Sequence, residues 1–162
     1  MKNSIEQLKK VLYEQIEVYK HILSLSVKKT DIVVNGHIKK LEEITQEEQK
    51  LIIKIGKLED IRESVIYNIN KELGLEELNM TKLNDYLEEA DKVFIKNLKD
   101  ELMDILNQIK ERNELNGSLI SDSLEYINLN IDILTNSTID NTYDNKQTDS
   151  KTIQRRMFDT KA

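Results

Sequence analysis

Apolar side chains recur every three or four residues through most of this chain, a spacing that gathers them on single stripes of long helices. Ile5, Leu8, Leu12, Ile16, Tyr19 and Leu23, with Ser26 continuing the row, predict a first helix over about residues 4–29, capped by Asn3 or Ser4. The stretch TDIVVNG then breaks the pattern with β-branched residues and an Asn35-Gly36 pair, a turn signal that also offers Asn35 as the cap of the next helix. Leu41, Ile44, Leu51, Ile55, Leu58, Val65 and Ile69 carry a second helix over about 36–73, where Gly74 supplies a left-handed stop. Residues 74–88 read as a short helical connector that reverses direction, with Thr81 as a possible cap. Leu87, Ala90, Phe94, Leu98, Leu102, Ile105 and Ile109 open a third helix over about 89–135, which would be roughly 65 Å long. Within it, Asn116-Gly117 is the expected place for a bend or break.

Short connections between long amphipathic helices favour antiparallel neighbours. The predicted fold is therefore all-α: an elongated antiparallel three-helix bundle with coiled-coil-like packing over 1–135. After Thr135 the apolar periodicity ends, and 136–162 reads as a flexible, disordered tail. Composition agrees with the helical reading, because the 162 residues include no proline and four glycines, too few to punctuate a fold of many tight turns. Charged residues at 33% against 5% aromatics describe large solvated faces around a thin core.

The third helix carries more apolar surface than one neighbour requires. Ile120, Leu124, Ile127, Ile131 and Leu134 form one stripe, while Leu119, Tyr126, Leu129 and Ile133 form a second, displaced by roughly 120° around the axis. Either both stripes are core, or one stays uncovered and accepts another amphipathic helix. Chemistry of other kinds finds little support. A net charge of −6 with no basic block argues against nucleic acid, and the absence of cysteine removes disulfides and thiolate metal sites. His21 and His37 have no carboxylates at ligand spacing, so no metal and no cofactor is expected. Paired glutamates such as Glu42-Glu43 suit a solvated helix face, and no phosphate loop or nucleophile elbow occurs, so no enzymatic activity is expected. The first 15 residues do not resemble a signal peptide and no run is long enough to span a membrane, so a cytoplasmic protein is expected.

Three segments resemble the FlgN family of flagellar type III export chaperones. They are NGHIKKLEEITQEEQKLIIKIGKLEDIR at 35–62, NELNGSLISDSLEYINLNIDIL at 113–134, and TYDNKQT at 142–148. The resemblance implies a three-helix cytoplasmic chaperone that binds the C-terminal helical segments of hook-filament junction (hook-associated) proteins, prevents their premature assembly and delivers them to the export gate. It implies client binding by Leu119, Tyr126, Leu129 and Ile133, and docking of Tyr143 on the cytoplasmic domain of the gate protein FlhA. Asp144 and Lys146 stand where that family commonly has glycines around the tyrosine. The competing reading from the residues alone is a structural coiled-coil adaptor or scaffold that dimerises through the second stripe. The tail's IQRRMFDTKA spaces Ile153, Met157 and Phe158 beside two arginines and receives no partner.

Overall fold

The computed structural model describes residues 1–76 and 80–139. Three long helices dominate: α1 (Lys2–Val34), α2 (Ile38–Leu73) and, after a short α3 (Met80–Leu83) and a 3-10 turn at Asn84–Tyr86, α4 (Glu89–Ile139). No strand occurs among the described residues. The chain divides into two compact units, Met1–Ile120 and Ser121–Ala162.

In the first unit α1 and α2 form a hairpin. Ser4 lies against Glu72 (2.6 Å), Gln15 against Glu59 (2.9 Å) and Lys29 against Glu48, so partners rise along one helix as they fall along the other. The first part of α4 runs parallel to α1, with contacts from Lys9 to Asp91, Lys20 to Glu101 and Ser26 to Asn113. The main core joins Ile5, Leu8, Leu12 and Ile16 of α1 to Val65 and Ile69 of α2 and to Leu83, Leu87, Ile95, Leu98 and Ile105. Val18, Ile22 and Leu58 extend it along the hairpin. Burial thins beyond that point. Only Ile44 is buried in the first half of α2, and Ile52 and Ile53 are about 60% exposed (60% and 61%).

Local chemistry explains where the helices end. Gly36 and Gly74 both adopt left-handed φ values (68° and 67°), and the residue after each donates its N–H five residues back, from His37 to Ile32 (3.1 Å) and from Leu75 to Asn70 (3.0 Å). This pairing satisfies carbonyls that a helix end leaves open. The Asn35-Gly36 signal therefore terminates α1 instead of starting α2. Asn35 donates its side-chain amide to the Asp31 carbonyl (2.8 Å), and α2 begins after His37 with no side-chain cap. The β-branched run before it stays helical because its propensity penalty is only a few tenths of a kcal/mol per residue, a weak preference that the surrounding structure overrides. Ser4 is likewise no cap. It is buried one turn inside α1, donating its hydroxyl to Glu72.

At Asn116-Gly117 the expected break does not occur, because the asparagine is held from outside its own helix. Asn116 is 3% exposed; its Nδ2 donates to the Ser26 carbonyl (2.9 Å) and its Oδ1 accepts from the Thr30 hydroxyl (2.6 Å). The two partners fix which way the amide points, since a carbonyl can only accept. This clamp ties α4 to α1. Asn116→Ala removes both bonds at once and is expected to lower stability by about 1–3 kcal/mol, read as a fall in the denaturation midpoint. An unchanged midpoint would mean that the amide contributes nothing to α4 docking. Near its start, α4 also departs from the simple stripe: Ile95 enters the core (3% exposed) while Phe94 (47%) and Ala90 face outward. Phe94 instead lies under the Lys9 ammonium, 5.4 Å from the ring centre.

Candidate functional site

Two grooves flank the segment of α4 that approaches Ile120. On one side Ile22 and Ser26 of α1 form the floor between Ile52 of α2 and Asn113, Gly117 and Ile120 of α4, enclosing about 300 Å³. On the other, Leu23 and Val27 of α1 face Gln108, Glu111, Arg112 and Leu115 of α4 across about 320 Å³. Val27 is 40% exposed and Leu115 is 43% exposed. Nearer the start of both helices the α1–α4 seam is closed by ion pairs. Asp91, and after it Glu6, holds the Lys9 ammonium above the ordinary lysine value, as Glu101 and then Glu17 do for Lys20. Lys20 lies 2.8 Å from Glu101. His21 stands half-exposed beside Glu47 at 3.2 Å on the α1–α2 side.

The predicted client-binding residues divide by what is described. Leu119 is half-buried and makes contacts of its own, and Leu129 is 56% exposed. The side chains of Tyr126 and Ile133, and the whole of Tyr143, lie outside the described residues. On the other stripe Leu124 is 44% exposed, while Ile120 and Ile131 are half-buried. Among the described side chains each stripe thus carries one exposed leucine, and neither is the covered one by that measure. Leu115, which lines the second groove, lies outside the client-binding set predicted from the sequence. It stands one turn before Leu119, so the spacing i, i+4 was the signal for it. Val27 belongs to another helix, and periodicity along α4 held no trace of it.

Apolar side chains left on helix surfaces beside shallow grooves suit the capture of another protein's helix better than catalysis on a small molecule. Among the described residues no group of His, Asp or Glu is placed to hold a metal ion, and no helix is long and apolar enough to cross a membrane. The class is that of a helical, protein-binding bundle. The chain belongs to the FlgN family, whose description, FlgN protein, matches residues 1–151. An uncharacterised protein of Bacillus subtilis (strain 168), YvyG, is 30% identical over 161 residues, covering 98% of this chain and 96% of that relative. No solved structure matches. Membership makes this a flagellar export chaperone, of a family that binds hook-associated proteins and is not known for catalysis.

Proposed function

We propose that this chain holds the C-terminal helical segments of hook-associated proteins in the cytoplasm against the face of α4 that carries Leu119, Tyr126, Leu129 and Ile133. Those segments assemble through their own apolar faces, so occupying the same face blocks assembly until export. The exposure of Leu129 is the observation that supports this reading: at 56% more than half of its apolar side chain is open to a partner helix. Binding consists of apolar burial between two amphipathic helices, with no covalent step. Isothermal titration of the chain with the C-terminal segment of a hook-associated protein from the same bacterium tests it. Saturable one-to-one uptake is the expected result, and a chain that stays a homodimer and takes up no segment would instead be a scaffold.

Delivery forms the second half of the proposal. Tyr143 docks the loaded chaperone on the cytoplasmic domain of FlhA, its ring filling a pocket while its hydroxyl meets a polar partner, a combination common among interface hot spots. Tyr143→Ala is expected to leave helicity and client affinity unchanged. It should weaken binding of the chaperone–client complex to that domain by about 2 kcal/mol, with Tyr143→Phe in between. Equal affinities of wild type and Tyr143→Ala in the loaded state would remove the docking role.

A further inference from the structure

The α1–α4 seam changes character along its length. At its first two rungs α1 contributes a lysine and α4 a carboxylate, Lys9 with Asp91 and Lys20 with Glu101. Two turns beyond Lys20 the α1 position is Val27, and three turns beyond Glu101 the α4 position is Arg112. The lysine has become an aliphatic side chain and the acid a cation. Nothing seals this rung: among the described residues no carboxylate pairs with Arg112, Asp31 on α1 included. What remains is a groove of about 320 Å³ with Val27 and Leu115 as half-exposed lips and a guanidinium at its edge. An unpaired cation beside an apolar slot specifies its complement. Arginine's planar fork binds carboxylates in two-pronged fashion, and a slot between helices takes a branched aliphatic side chain.

From this geometry we infer that the groove is a second client subsite, taking one aliphatic side chain of an amphipathic helix between Leu23, Val27 and Leu115 while a carboxylate one turn away on the same helix pairs with Arg112. The inference rests on the client-binding reading above and extends it. Leu115 precedes Leu119 by one turn on the same face of α4, so the groove adjoins the first residue of the proposed client stripe. It also adds direction. Apolar stripes alone accept a helix in either orientation, whereas the neighbouring Glu111 and Arg112 of the groove favour the orientation that brings the client's acid to Arg112 and keeps it from Glu111.

The test is a titration of the full chain and its variants with the C-terminal segment of a hook-associated protein from the same bacterium, with thermal melts alongside. Val27→Asp places a carboxylate within the rung, pairs Arg112 internally and fills the slot with charge. Affinity is expected to fall at least tenfold with the melting temperature unchanged or raised. Arg112→Glu is expected to weaken binding at least fivefold, and changing the segment's acidic residues to lysine one at a time should reveal one position that restores most of the loss. Wild-type affinity in both groove variants, with binding lost on mutation of Leu119, Leu129 and Ile133, would overturn the subsite and leave the stripe as the whole site. Loss in the groove variants with the stripe variant unaffected would support the groove and overturn the stripe. Failure of the wild-type chain to bind any such segment would overturn the chaperone reading and this inference with it.

Discussion

Simultaneous replacement of Leu119, Leu129 and Ile133 by serine is expected to weaken capture of a hook-associated segment by about 4 kcal/mol, roughly a thousandfold in affinity. A few desolvated apolar anchors carry most of the energy of a helix-in-groove interface, and each serine both removes buried area and leaves a hydroxyl facing an apolar partner. Stability should respond far less. Leu129 is 56% exposed in the free chain, so its loss removes little burial; Leu119 is half-buried, and a small fall in melting temperature is expected from it. Titration calorimetry against one client segment gives the affinity, and circular dichroism on the same samples gives the melt. Collapse of the whole bundle on substitution would show that the stripe is structural core, and the client face would then have to lie elsewhere.

The opposite pattern is expected at Leu8. Its side chain is fully buried (0% exposed) in the cluster where α1, α2 and α4 meet, alongside Ile69, also at 0%. Leu8→Ala leaves a cavity that long helices cannot easily close, because their backbones are held by packing along their whole length. A loss of about 2–5 kcal/mol is expected. Against a total stability of about 5–15 kcal/mol, that lowers the melting temperature by on the order of 10 °C. Client affinity measured well below the melt should not change, since Leu8 lies far along α1 from Leu23 and Val27. Leu129→Ala on the same melt is the control, with a shift close to zero. A Leu8→Ala protein that melts like the wild type would show that the cluster is not the seat of stability.

These two residues also mark how far the sequence could be read. Leu8 and its neighbours were legible because a buried helix face repeats every 3.6 residues, and nothing else in a chain so poor in glycine and proline produces that rhythm. Helix ends were less legible, since Asn35-Gly36 serves equally as a start signal and as a stop signal. The choice depends on whether the glycine's left-handed backbone is used by the preceding helix, which it is. Phe94 and Ile95 are adjacent and differ by 100° around the axis, so both fit a loose stripe; docking of α4 on α1 decides between them. The same limit applies to the proposed client surface. A stripe belongs to one helix and can be counted along it, whereas the Leu23–Val27–Leu115 groove requires knowing that α4 lies parallel to α1 and at what register. Asn116 supplies that register, yet in the sequence it resembled a helix breaker.

The clamp at Asn116 has a further consequence for how the molecule is made. Its amide meets Ser26 across a separation of 90 residues, so the α1 face that receives α4 is synthesised well before its cover. At about 5–20 residues per second, a ribosome needs roughly 5–18 seconds to bring Asn116 out after Ser26 has appeared. During that interval the α1–α2 hairpin can form, but the stretch of α1 around Ile22, Leu23 and Ser26 still lacks its α4 cover. A nascent escort protein thus begins life displaying an apolar face that itself requires masking, and the waiting time is set by translation.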